Sequence, residues 1–294
     1  MLRGKVRRVK MGTVKIIADS TCDLSKDILK RYDISIIPLN IVLDSKSYLD
    51  GVEIEPKQIY EWSDRTGTTP KTSSPEIGNV MNTLKPYQEA GDDVIIFGIS
   101  EEMSVTCQVF RTAAEEIEYS KVHVINSKNL STGIGLLVLR AAQMAKEGKS
   151  ANEIIKTIET LQGKVRASFV VDTLTYLYRG GRCNAVTALL GNSLKLKPMI
   201  VVKDGKMGVD KKYRGKQEAV IMKYVKELES DLLHADPERV FITHSGIDPV
   251  IEQKVYDYLK NLNHFKEILV TTAGGVISSH CGPNTLGVLF IDGE

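Results

Sequence analysis

Hydroxyl side chains recur in this chain where an apolar run gives way to a turn: Thr72-Ser73-Ser74-Pro75, Met103-Ser104-Val105-Thr106, and Ser278-Ser279-His280-Cys281-Gly282-Pro283. Hydroxyls beside free backbone N–H groups at a helix mouth make an anion site, helped by the helix dipole. Ser104 and Thr106 have that arrangement after the apolar run Val94–Ile99, and on its own Ser104 would simply cap the helix. Ser73 and Glu76 have the spacing of a capping box, which predicts a helix start there. In Tyr178-Arg179-Gly180-Gly181-Arg182 a glycine pair, able to bring backbone close to a ligand, precedes a permanent cation. A surface salt bridge is the competing role for Arg182. His280 lies in a segment rich in glycine and proline and reads as a loop residue. Asp19-Ser20-Thr21-Cys22-Asp23-Leu24 sits at a strand-to-helix turn, where Asp, Ser and Thr cap helices.

Enzyme signatures are missing from the expected places. There is no G-x-S-x-G elbow and no H-E-x-x-H pair. Gly148-Lys149-Ser150 resembles the end of a phosphate loop, but Gln143 occupies the place of its first glycine. Ser104, His280 and Asp19 are the residue types of a hydrolase triad, and a serine hydrolase acting on acyl esters is the alternative function. Nothing in the spacing brings the three together. No catalytic residue, metal or cofactor is assigned.

The elements that must position these residues follow from apolar patterning. Strands are predicted at Val14–Asp19, Val94–Ile99 and Val122–Ile125, and extended chain at Ile34–Val42. Helices are predicted at Leu24–Tyr32, Thr106–Tyr119 and Gly133–Glu147, the last closed by Gly148. Such alternation implies a parallel sheet with sites at the strand C-terminal ends. After Gly163 the pattern changes. Arg166–Val171 reads as a strand, Ala185–Leu190 as a short helix, and Pro198–Val202 faces Lys206–Lys212 across the hairpin dipeptide Asp204-Gly205. A long helix at Gln217–Leu233 precedes Val240–His244, Asp248–Leu262, Glu267–Thr272 and Leu286–Ile291 as strand, helix, strand, strand. The fold class is α/β in two domains. Residues 14–164 form a Rossmann-like parallel sheet with helices, and residues 165–294 an α/β domain with a mixed or antiparallel sheet.

The chain has 294 residues, 42% hydrophobic and 26% charged, as a globular protein requires. No apolar stretch approaches the ~20 residues that span a bilayer, and no apolar signal segment follows the basic N-terminus. A cytoplasmic location is expected. The net charge is +2, and residues 1–13 carry five cations, which leaves −3 on the remainder. That balance gives no reason to expect nucleic acid as partner. Residues 1–13 read as a disordered tail, with Met11 as the true start. The four cysteines Cys22, Cys107, Cys183 and Cys281 form no C-x-x-C pair, so neither a disulfide framework nor a zinc site is indicated.

Five of these blocks, in this order, resemble the DegV family of bacterial fatty-acid-binding proteins, from about Val14 to the C-terminus. Met103-Ser104-Val105-Thr106-Cys107-Gln108 is similar to the family's Leu-Ser-Gly-Thr-Tyr-Gln, with Val105 in place of glycine. Thr72-Ser73-Ser74-Pro75-Glu76 is similar to Thr-Ser-Gln-Pro-Ser, and His280-Cys281-Gly282-Pro283-Asn284 to His-Thr-Gly-Pro-Gly. The resemblance implies a non-enzymatic carrier that holds one long-chain fatty acid in an apolar tunnel between the domains. Its carboxylate would meet Thr72, Ser104, Arg182 and His280, supported by Ser73, Thr106, Gly180, Gly181 and Gly282. Protonated His280 or Arg182 would offset the charge. The resemblance further implies presentation of the acid to a separate fatty-acid kinase for phospholipid synthesis, with Arg214 and Lys216 as the partner surface.

Overall fold

The computed structural model describes residues 13–189 and 196–293. The basic tail up to Lys10, Met11 and the end of the helix expected at Ala185–Leu190 lie outside the described residues. In β1 (Val14–Asp19) alternate side chains enter two different cores: Ile16 and Ala18 one, Ile17 the other. β2 (Ile34–Ile37) pairs with it in parallel. The extended run expected at Ile34–Val42 breaks at Pro38, which has no N–H for a ladder, and its second half becomes β3 (Asn40–Leu43) of another sheet. With β4 (Lys46–Leu49) and β5 (Lys71–Ser73) it forms a three-stranded antiparallel sheet in the order β4-β3-β5, which periodicity did not reveal.

β6 (Asp93–Gly98) and β7 (Val122–Asn126) complete a parallel sheet in the order β2-β1-β6-β7, as the alternating pattern requires. The remaining strands are β8 (Val165–Val170), β9 (Leu196–Lys203), β10 (Lys206–Arg214), β11 (Ala235–His244), β12 (Glu267–Thr272) and β13 (Leu286–Asp292). They form one mixed sheet, β10-β9-β8-β13-β11-β12, in which only β11 and β12 run parallel. At the hairpin, Asp204 and Gly205 have φ of 52° and 80°, both positive as a type I′ turn requires.

The helix Thr132–Lys146 sits between the parallel and mixed sheets. Eleven of its fifteen residues are buried, which is why Gly-Ile-Gly-Leu-Leu-Val-Leu is apolar all round rather than striped. One apolar cluster runs from Ile16 and Phe97 through Leu137 to Phe169 and Leu289. Three sequence expectations shift. The helix expected at Leu24–Tyr32 starts at Lys26, capped by Ser25 after a 3₁₀ turn at Ser20–Cys22. The long helix Gln217–Leu233 divides at Leu228 into Gln217–Glu227 and Glu229–His234. The short helix expected from Ala185 is a 3₁₀ segment, Asn184–Leu189.

Candidate functional site

Thr72 sits in β5 opposite Ile41 of β3, and Ser73 opposite Asn40. Strand pairing overrides the capping box: the next helix, Ile77–Ala90, starts from Glu76 with no side-chain cap, and Ser73 takes no part. Ser104 ends the turn after β6, just before the helix Thr106–Glu116. Its Oγ accepts from the Thr106 N–H at 3.3 Å and lies 2.8 Å from Thr106 Oγ1. The N-cap itself is Val105, which offers no side-chain cap, so Ser104 braces the turn before the helix and at the same time borders the cavity described below.

His280 does not lie in a loop. Gly275–Cys281 is a helix, and His280 occupies its last turn. Glycine and proline made the segment read as a loop, but the helix is fixed at its start by buried carboxylates. Asp23 Oδ1 accepts from the Gly274 N–H at 2.8 Å and Asp50 Oδ1 from the Gly275 N–H at 2.7 Å. Asp23 also accepts from Ser131 Oγ at 2.5 Å, and Asp50 from Ser20 Oγ at 2.8 Å. Burial raises both carboxyls above their ordinary range, and the hydrogen bonds oppose it. At the helix's other end His280 Nε2 lies 2.8 Å from Thr72 Oγ1. Asp23 and Asp50, from the turns after β1 and β4, hold the start of this helix, and Thr72, in β5, holds its end.

Thr72, Ser104, Arg182 and His280, far apart in sequence, border one cavity of about 480 Å³. That is within the about 300–1,000 Å³ typical of small-ligand sites. Leu39, Ile99, Met103, Leu130, Val276 and Ile277 supply its apolar walls. Arg182 is exposed, donates to the Gly180 carbonyl at 2.7 Å, and forms no ion pair among the described residues. The salt-bridge role is not realised. Glu101 also borders the cavity, but its carboxylate is held by Arg111 at 2.6 Å. Burial, and then the Arg182 charge, push His280 down to about 4. The imidazole is neutral at pH 7, so it does not offset an anion's charge as a protonated histidine would. Arg182 remains as the positive group of the lining.

The supporting residues play other parts. Thr106 is buried at its helix start. Gly180 brings backbone close not to the cavity but to the His280 ring, where a Cβ would overlap Nδ1. Gly181, at φ +68°, closes the helix Thr175–Gly180 in left-handed geometry. A Cβ on Gly282 would stand 2.7 Å from Tyr176. Arg214 and Lys216 are exposed and outside the cavity lining, and the neighbouring Lys211 is paired with Glu227 at 3.0 Å. The hydrolase triad is not assembled. Asp19 Oδ2 accepts from the Ile99 N–H at 2.7 Å and Oδ1 from Thr21, while His280 engages Thr72.

Sequence reasoning missed Asp50, Glu101 and Leu130. Asp50 gave no signal, because its partner Gly275 is 225 positions away. Leu130, Ile277 and Cys281 line both this cavity and a second, smaller space bordered by Phe169, Ala273 and Leu289. That space is about 20 Å³, room for about one water.

The model of the uncharacterised DegV protein family matches residues 13–293. A DegV domain-containing protein of Caldanaerobacter subterraneus is 32% identical over 289 residues, covering 95% of this chain and 99% of the relative. Among solved structures, a DegV-family protein from Thermus thermophilus described for its fatty-acid binding superposes with a TM-score of 0.87 at 30% identity, covering 95% of this chain and 99% of that one. A fatty-acid (stearic acid)-binding protein from Eubacterium ventriosum gives a TM-score of 0.83 at 28% identity, covering 95% and 98%. No helix among the described residues is long and apolar enough to cross a membrane. A matched model that runs from the first strand to the last, over a fold shared throughout with these relatives, makes this chain a member of the DegV family.

Proposed function

We propose that this protein binds one long-chain fatty acid, its carboxylate at Thr72, Ser104, Arg182 and His280 and its tail along the apolar walls. The observation that carries the reading is one cavity whose lining combines these four residues with aliphatic side chains. The fatty-acid binding described for the Thermus and Eubacterium relatives supports it. The tail would follow Leu130, Ile277 and Cys281 toward Phe169 and Leu289. That path is closed in this structure, so its side chains must part to admit the chain. About 15 methylenes at ~0.8 kcal/mol each give roughly 12 kcal/mol gross, several of which association removes. Tight binding needs no covalent bond. Residues 14–164 and 165–294 act as the two domains that flank the ligand.

In this reading the protein is a cytoplasmic carrier, not an enzyme, and presents the acid to a separate fatty-acid kinase. Native mass spectrometry of the purified protein tests the binding step. A mass excess matching a long-chain acid, released intact on denaturation, is expected. A ligand-free protein that also ignores added palmitate and oleate would end the proposal. Ester hydrolysis that disappears in Ser104→Ala would favour the hydrolase instead.

A further inference from the structure

His280 Nδ1 is sealed from solvent and has no hydrogen-bond partner among the described residues. It faces Gly180, where even a methyl group would overlap it. The opposite nitrogen, Nε2, lies 2.8 Å from Thr72 Oγ1. A buried donor with no acceptor costs the full desolvation of that group, more than an unused lone pair does. A proton on Nδ1 would be stranded in this way, both in the Nδ1–H tautomer and in the doubly protonated ring. Only the tautomer with its proton on Nε2 strands none, and there the ring donates to Thr72 Oγ1. Thr72 has then accepted, and its own O–H is free for the cavity it borders.

We infer that Gly180 is a positioning residue: by sealing Nδ1 it holds His280 as a neutral Nε2–H donor and makes the Thr72 hydroxyl a donor toward the cavity. This deepens the fatty-acid reading and rests on it for the ligand's identity. The carboxylate is then held as an anion by hydroxyl donors and Arg182, His280 acts on it through Thr72, and no proton is taken up when it binds. The charged and titratable groups around the ring agree. Arg182, in the turn after the helix that ends at Gly180, opposes a second positive charge. Glu101, across the cavity, is engaged by Arg111. Cys281, the next residue, is a buried thiol whose pKa burial raises.

Two measurements on the full chain test this. Long-range ¹⁵N–¹H correlation of His280 in the ligand-free protein should show the Nε2–H tautomer at pH 7, unchanged down to about pH 5.5. An Nδ1–H tautomer or a charged ring at pH 7 overturns the inference, whether or not the protein binds a fatty acid. Gly180→Ala should displace the ring, expose Nδ1 and move its titration up toward 6.5, and a variant spectrum identical to the wild type overturns the positioning role. Calorimetry with dodecanoate below its micelle concentration, in two buffers of different ionisation heat, should give equal binding heats. Uptake of about one proton per ligand overturns the neutral-donor assignment. If dodecanoate does not bind, the function reading falls, and the tautomer is still decided by the spectra.

Discussion

Ser104 reaches the cavity with one side of its oxygen already committed, since it accepts from the Thr106 N–H that begins the next helix. A carboxylate would accept a hydrogen bond from the hydroxyl, and a hydrogen bond to a charged group contributes about 1.5–3 kcal/mol. Ser104→Ala is expected to weaken fatty-acid binding about 10- to 100-fold, measured by displacement of a fluorescent acid, and to leave the fold intact. Unchanged affinity would leave Ser104 a turn residue only. Asp19 carries a second effect, on pH dependence. Burial raises its carboxyl from 3.8 to about 6, against the hydrogen bonds from Thr21 and Ile99. The native state therefore takes up this proton before the unfolded chain does. The group costs stability at neutral pH, and the cost is relieved as pH falls from about 6 toward 4. The rise from 3.8 to about 6 corresponds to about 3 kcal/mol. Urea titrations from pH 7 to 4 should show the wild type gaining, relative to Asp19→Asn, up to that amount. Parallel profiles would mean that the carboxyl titrates as it does in water. The sequence showed Asp19 as a cap at a strand end, and it is one. It could not show burial, because that depends on what packs over the turn.

The helix Gly275–Cys281 shows what local patterning conveys about an element and what it omits. The strands of both large sheets, the hairpin and the sandwiched helix are legible because alternation, continuous apolar runs and the Asp-Gly pair are local signals. This helix is not, because its seven residues, Gly-Val-Ile-Ser-Ser-His-Cys, have little helical preference. Contacts supplied from residues 23, 50 and 72 hold it. A Cβ at Gly275 would stand 2.5 Å from Ile41 Cδ1 and 2.8 Å from Asp50 Oδ1. Gly275→Ala should force the helix off the three-stranded sheet, destabilising the protein by about 1–3 kcal/mol and lowering fatty-acid affinity through the displaced His280. Gly78, in the helix Ile77–Ala90, has nothing among the described residues within 4 Å of such a Cβ. Gly78→Ala should stabilise by about 0.5–1 kcal/mol, so thermal melts of the two variants should move in opposite directions. Equal shifts would show that the tight fit at Gly275 is not what fixes this helix.

Across the whole molecule the parallel and mixed sheets share one apolar cluster, which runs through the helix Thr132–Lys146 from Ile16 to Ile291. The cavity opens where that shared core meets the loop that follows β6 and the β9–β10 hairpin. Ser100 Oγ donates to the Gly205 carbonyl at 2.7 Å, and Lys206 pairs with Glu102 at 3.2 Å. Composition foretold a globular chain with a slightly acidic body, and with it the contrast that Arg214 and Lys216 present. Both are exposed at the far end of β10 and the start of the next helix, with Lys212 exposed nearby and Lys211 matched by Glu227. A few exposed cations act on a partner through the encounter rate more than through affinity. If this patch docks an acidic face of the proposed kinase, Arg214→Glu with Lys216→Glu should slow phosphorylation of the bound acid and spare fatty-acid affinity, since neither residue borders the cavity. The loss should shrink as salt rises, because the Debye length falls from about 30 Å at 0.01 M to about 8 Å at 0.15 M. Equal phosphorylation by wild type and variant at low salt, where steering is strongest, would remove the patch from the interface and leave it an ordinary solvated turn.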